Sequence, residues 1–163
     1  MADKDLKVLF QHALQDVYSA ETAILRAMPR MVEAAQSEAL KGALAVHQQE
    51  TEEQIRRLDR VFQQLGGRGE AIQCRAIQGI IEEGEEVLQK FSGGEASDAG
   101  LIASAQAIEH YEITRYGTLL AWAKQLGLTE AEGLLQETLI EEENTDSLLS
   151  ELAEESINPA AAS

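Results

Sequence analysis

The sequence is poor in cysteine, proline and aromatic residues: one Cys, two Pro and 4% aromatics. A single Cys74 cannot close an internal disulfide, and no Cys/His spacing of a zinc site is present. Few aromatics and prolines argue against a sandwich or barrel of many short strands. Basic residues are scarce too. Thirteen Lys+Arg stand against 29 Asp+Glu, a formal net charge of −16. That balance excludes a broad basic footprint for nucleic acid and attraction to anionic lipid. No apolar run approaches the length of a bilayer span. Met1-Ala2-Asp3-Lys4-Asp5 leads straight into a helical pattern, without the apolar stretch of a secretory signal. The expected setting is reduced and cytoplasmic, with no membrane partner. Cys74 is expected to be a small buried or half-buried filler.

What remains is an acidic chain of 163 residues, 44% of them hydrophobic. That suffices for one domain with a real core and argues against disorder. Cations are its natural partners. A single domain is expected over residues 1–156, with a disordered tail at 157–163.

Helical periodicity covers nearly everything. Leu6, Phe10, Leu14, Val17, Ile24, Met28 and Met31 predict a first helix over 3–35, kinked near Pro29. Ser37 is the expected N-cap of a second, over 38–65, which Gly66-Gly67 ends. A weaker apolar pattern suggests a short helix over 73–91. A third long helix is expected over 97–126. Gly127 would cap it, and Thr129 would open a fourth over 130–155. The fold class is therefore all-α: a four-helix bundle of two helical hairpins. They are joined by a long crossover containing an extra short helix. That helix would cover an end of the bundle or, if it exposed an Ile80/Ile81/Val87 strip, form a homodimer contact.

A faint internal repeat relates the two hairpins at an offset of 91 positions. Gly42 falls on Gly133, Leu44 on Leu135 and Leu58 on Leu149. The acids follow: Glu21 falls on Glu112, and Glu50 on Glu141.

Most of the acids belong to a solvated face. A few interrupt the apolar stripes: Glu21 in the first helix, Glu109 and Glu112 in the third. His47 and Glu50 sit in the gap between Leu44 and Leu58, and Glu141 and Glu142 between Leu135 and Leu148. An ionised carboxylate in a dry core is very costly unless charge, protons or water compensate it. Glu21 and Glu50 lie symmetrically about the first turn, and Glu112 and Glu141 about the second, so each hairpin brings two Glu to one level. Glu21, His47, Glu50, Glu109, Glu112 and Glu141 thus form a candidate ligand set, with Glu142 or Glu137 open as alternatives to Glu141. Carboxylates with one imidazole suit two bridged ions, iron foremost, with manganese or zinc as alternatives. The competing account leaves these acids wet, or paired with Arg115 or Arg26. His110 points away from the stripe, and Tyr18 and Tyr111 flank the acids as candidate hydrogen-bond partners.

The stretches Tyr18-Ser19-Ala20-Glu21, His47-x-x-Glu50-Thr51, Ile108-Glu109-His110-Tyr111-Glu112-Ile113 with Tyr116-Gly117-Thr118-Leu119, and Leu134-Leu135-Gln136-Glu137-Thr138-Leu139 before Glu141-Glu142 together resemble one family. It is the YciE/YciF-type family of bacterial ferritin-like proteins, and the resemblance covers about residues 5–153. It implies a ferritin-like bundle, metal binding, frequent dimerisation and association with bacterial stress responses. Glu21, Glu50, Glu109 and Glu112 carry over as ligands, followed by His47 and Glu141. One departure stands out. Better-known di-iron bundles place Glu-x-x-His on two helices; here Glu53 and Asn144 follow Glu50 and Glu141 at that spacing.

Three functions compete. A di-iron or di-manganese oxidoreductase would act on peroxide or dioxygen. A non-catalytic metal buffer would share the site without turnover. A helical dimeric interaction protein would use its acids only for solubility.

Overall fold

The computed structural model describes residues 5–163. Residues 3 and 4 of the expected first helix lie outside them. The chain is all-helical over this range, as periodicity predicts: α1 (Leu6–Ala34), α2 (Glu38–Gln64), α3 (Arg75–Phe91), α4 (Ser97–Gln125) and α5 (Thr129–Leu152). Asp5 caps α1 by accepting from Val8 N at 2.9 Å. The helix continues through Pro29 without a break. Ser37 caps α2, its side chain accepting from Leu40 N. Thr129 is not the cap of α5; Leu128 precedes the helix with no side-chain hydrogen bond. α2 and α4 each stop at a glycine in the left-handed region, Gly66 (φ 74°) and Gly127 (φ 69°). After each, an amide reaches back to an earlier helical carbonyl, Gly67 N to Phe62 O and Leu128 N to Ala123 O. A residue with a Cβ strains in this conformation, which is why glycine occupies each stop.

The four long helices form the bundle. α1 packs on α2 and α4, and α5 packs on α2 and α4. α2 and α5 are antiparallel: Glu50 meets Thr145, Gln54 meets Glu141 and Arg57 meets Glu137. α1 and α4 are antiparallel as well, because the C-terminal half of α1 shares an apolar cluster with the N-terminal half of α4.

The core is two apolar clusters, one near each end. The first gathers Ile24, Met28, Leu40, Leu44, Leu101 and Leu149; the second gathers Phe10, Leu14, Leu58, Tyr116, Leu119 and Leu135. Each large side chain so buried contributes about 1.5–3 kcal/mol. Between the clusters lies a layer of buried polar residues: Glu21, His47, Thr51, Gln54, Glu109, Glu112, Thr138 and Glu142.

α3 runs along the outside of the bundle, against α1 and α4. Ile80 and Ile81 pack on the core beneath it, so this strip is not an open dimer face. The α2–α3 connection is tied to α1: Ile72 N donates to Ser19 Oγ, and Gln15 Nε2 to Glu70 O. At the α1–α2 turn, Asp98 accepts from Gln36 N and Ser37 N at 2.8 and 2.7 Å. That fixes the start of α4 against the first hairpin. The C-terminus differs from the disordered tail expected of it. α5 widens into a π-helical turn, Ala153–Ile157, and closes with α6 (Asn158–Ala161). Ala153 and Ile157 are buried in the first cluster, which holds the segment down. Pro159 sits in the first turn of α6, where a missing N–H costs nothing.

Candidate metal centre

The inward face of each helix follows steps of four and three residues, as in a coiled-coil seam. On α1 it is Phe10, Leu14, Val17, Glu21, Ile24, Met28; on α2 it is Leu40, Leu44, His47, Thr51, Gln54, Leu58. On α5 it is Ala131, Leu135, Thr138, Glu142, Thr145, Leu149. The seam is apolar at both ends and polar in the middle, so it positions the polar side chains at one level.

His47, Glu109, Glu112 and Glu142 each offer a ligand atom, and these four atoms lie within 4.8 Å of one another. All are at most 2% exposed, and Glu21 is fully buried beside them. His47 Nε2 lies 3.0 Å from Glu109 Oε1, yet without the alignment of a hydrogen bond. His47 Nδ1 lies 3.7 Å from Glu50 Oε2. Tyr116 donates to Glu21 Oε1 at 2.5 Å. Gln54 Nε2 donates to Glu142 Oε1. The remaining atoms have no partner: Glu21 Oε2, both His47 nitrogens, Glu109 Oε2, both Glu112 oxygens and Glu142 Oε2. Buried polar groups are nearly always satisfied, so a knot of unsatisfied lone pairs calls for a missing charge.

The electrostatics agree. Burial, then the charge of Glu142, pushes the Glu21 carboxyl up to about 8. Burial and neighbouring carboxylates hold Glu112 and Glu142 well above the ordinary carboxylate range. Burial works to lower His47, but its contacts with Glu109 and Glu50 outweigh it and raise the imidazole well above 6.5. Without a cation, then, the cluster keeps protons in place of one.

Four of the six residues expected from the sequence, Glu21, His47, Glu109 and Glu112, are buried at this level, and two, Glu141 and Glu50, are not. Glu141 points outward into an ion pair: Arg57 Nη1 and Nη2 each lie 2.7 Å from one of its oxygens. Glu142, left open as an alternative, takes the inward position on α5. One residue is a rotation of about 100° on a helix, enough to exchange core for flank. Glu50 is also on a flank, 31% exposed, reaching the cluster only through His47 and Thr145. The offset of 91 positions does relate the two seams, but it pairs Glu142 with Thr51 and makes flank partners of Glu50 and Glu141.

Arg115 is not a core partner; it lies over the Tyr111 ring. Tyr111 bonds to Cys74 and Asp16, and Tyr18 packs edge-on against Phe62. His110 is on the surface, paired with Asp146. Cys74 is a buried free thiol. Two contributors were given no role at the site by the sequence: Tyr116, placed only on the apolar stripe and in the family motif, and Gln54. Gln54 had a signal: it continues the four-and-three seam of His47, Thr51 and Leu58.

The donor set fits a divalent transition ion. One imidazole nitrogen and several carboxylate oxygens suit iron or manganese. The four donor atoms, all within 4.8 Å of one another, need only small side-chain movements to meet around a single ion at bonding distances of about 2.0–2.2 Å. His47, Glu109, Glu112 and Glu142 would hold an ion on one side of the layer. Glu21, fully buried and bonded to Tyr116, is a further carboxylate in the same layer.

Fold and site together define a helical-bundle protein with a buried carboxylate–imidazole cluster. The chain belongs to the family described as Domain of unknown function (DUF892), whose model matches residues 5–162. It is 42% identical over 159 residues to Protein YciF of Escherichia coli (strain K12), covering 97% of this chain and 96% of that protein. The crystal structure of the E. coli stress protein YciF matches with a TM-score of 0.90, over 96% of this chain and 99% of that one, at 42% identity. YcfI of Rhodopseudomonas palustris matches with a TM-score of 0.87 at 41% identity, covering 90% and 94%. A Xanthomonas campestris protein shares the fold at 22% identity, with a TM-score of 0.76 over 96% and 95% of the two chains. The YciE/YciF resemblance drawn from the motifs is thus upheld. No helix among the described residues is long and apolar enough to cross a membrane.

Proposed function

We propose that the chain is a metal-binding bundle protein with a carboxylate-rich centre for two ions, iron or manganese, working in bacterial stress physiology. One observation carries the reading: the unpaired lone pairs of Glu21, His47, Glu109, Glu112 and Glu142, turned toward one another in a layer shut off from water. Leaving such groups buried and unpaired costs about 1–3 kcal/mol each, more when charged. Cations would remove that cost. His47, Glu109, Glu112 and Glu142 would hold the first ion; Glu21, with the shared Glu112 and Glu142, would hold the second. Glu50 supports His47 from the flank. When bound, such ions supply one-electron redox chemistry toward peroxide or dioxygen. The chain orients the carboxylates, excludes water with the two apolar clusters, and keeps a proton on Tyr116 against Glu21.

The near-complete burial of the five residues favours a second reading in which the metal is retained and not turned over, as in a small buffer. The setting proposed for either is cytoplasmic, and the working form a homodimer. YciF is described as a stress protein; carrying that role to this chain is part of the proposal.

Elemental analysis tests the centre. Protein purified without chelator and loaded anaerobically with Fe(II) or Mn(II) should retain up to two ions per chain. No retained iron, manganese or zinc would overturn it. Repeated oxidation cycles on adding ferrous iron and peroxide would separate the enzyme from the buffer.

A further inference from the structure

The seam between α2 and α5 carries a chain of contacts from solvent to the centre. Arg57, mostly buried, grips Glu141 through both guanidinium nitrogens at 2.7 Å. Its Nε reaches Glu137 at 3.2 Å, and its Nη1 also reaches Thr138 Oγ1 at 3.3 Å. Glu141 Oε2 then accepts from Gln54 Nε2 at 3.0 Å. The same Nε2 donates to Glu142 Oε1. A side-chain amide has two N–H groups. Here both are committed, one to the outer carboxylate and one to the inner. The amide therefore cannot turn without giving up a charge-assisted bond.

We infer that Gln54 is the positioning residue of the centre: braced from outside by the Arg57–Glu141 ion pair, it holds Glu142 so that only Oε2 faces His47, Glu109 and Glu112. This rests on the metal-binding reading above.

The partnering pattern supports it. Glu142 Oε1 is engaged by Gln54, whereas Oε2 has no partner. Gln54 itself is completely buried, and its own Oε1 is unpaired. A residue kept for stability alone would be a poor choice there, since an apolar side chain leaves no unpaired acceptor. The position related to Gln54 by the 91-residue offset is Thr145, which bonds to Glu50 across the same seam. Each helix thus sends one uncharged polar side chain to a carboxylate on or beside the centre. Groups that orient a metal ligand from behind typically matter about 10–100-fold in metal affinity.

The test uses the full chain and Mn(II) as probe, with free Mn(II) followed by its paramagnetic resonance signal. Gln54→Leu should weaken Mn(II) binding about tenfold or more and alter the spectrum of the bound ion. The metal-free variant should unfold at the parent's temperature or higher, which a merely structural residue would not do. Glu141→Leu, on the flank, should also weaken binding, and Gln54→Leu/Glu141→Leu should bind no more weakly than Gln54→Leu alone. Parental affinity in either single variant overturns the inference, as do additive losses in the double. Should Gln54→Leu fail to fold, Glu141→Leu decides by itself. A parent chain that binds no Mn(II) overturns this inference, and one that retains no iron or zinc either overturns the metal centre with it. A parent that binds, with variants that bind equally well, overturns this inference alone.

Discussion

Tyr116 Oη lies 2.5 Å from Glu21 Oε1, a phenol and a carboxyl both fully shut off from water. They sit where the polar layer meets the second apolar cluster, so the bond joins α4 to α1 across the bundle. Tyr116→Phe removes only the donor and leaves a second Glu21 oxygen unpaired. The metal-free chain should lose about 1–3 kcal/mol of stability, read as a lower urea midpoint. An unchanged midpoint would show that this bond contributes nothing net to the apo fold.

Protons in the layer make the stability of the metal-free chain depend on pH. Glu21, raised by burial to about 8 from an ordinary 4.5, keeps a proton in the folded state that the unfolded chain has released. Folded protein then binds more protons than unfolded, so stability falls as pH rises from the unfolded value through about 8. His47 acts in the same sense. Its contribution is complete below 6.5 and is lost as pH rises through its higher folded value. The urea midpoint of apo protein should therefore fall between about pH 5 and about pH 8.5. A midpoint that rises over this range would contradict the assignment. Saturating Mn(II) should flatten the fall, because metal takes the place of the protons.

Glu112 has neither oxygen paired and is 1% exposed. Glu112→Leu should raise the stability of the metal-free chain by about 1–3 kcal/mol, because it removes a buried carboxyl whose oxygens have no partner. It should also abolish metal retention. Elemental analysis and thermal unfolding of one preparation give both readings. A variant that keeps its metal would remove Glu112 from the centre, and a less stable apo variant would mean that the carboxyl is satisfied.

The misplacement on α5 shows where legibility stopped. That helix offers Leu134 and Leu135, then Leu148 and Leu149, as adjacent pairs. Each pair leaves the phase of its inward face undecided by one residue. Thr138 and Thr145 fix the phase in the folded chain, but they are polar and carry little periodic signal. Symmetry about the turn then favoured Glu141 over Glu142, because both hairpins have flank acids at that height. Tyr116 was hidden for the opposite reason. A buried tyrosine in an apolar stripe reads as packing, and its bond to Glu21 exists only across two helices.

The sequence alone determined the helices, their glycine stops, the pairing of hairpins and the level at which acids interrupt the core. These follow from local periodicity, capping and chain reversal, which a few neighbouring residues decide. Tertiary structure alone decided which acids face inward, that Arg57 takes Glu141 out of the cluster, and that Gln54 faces Glu142. It also decided that α3 packs along the bundle and that the C-terminal turns are held by Ala153 and Ile157. Those outcomes depend on helix rotation and on charges brought together from positions far apart in the chain. Burial and pairing across the bundle, and not spacing along it, separate the inward carboxylates from the rest of the acidic surface.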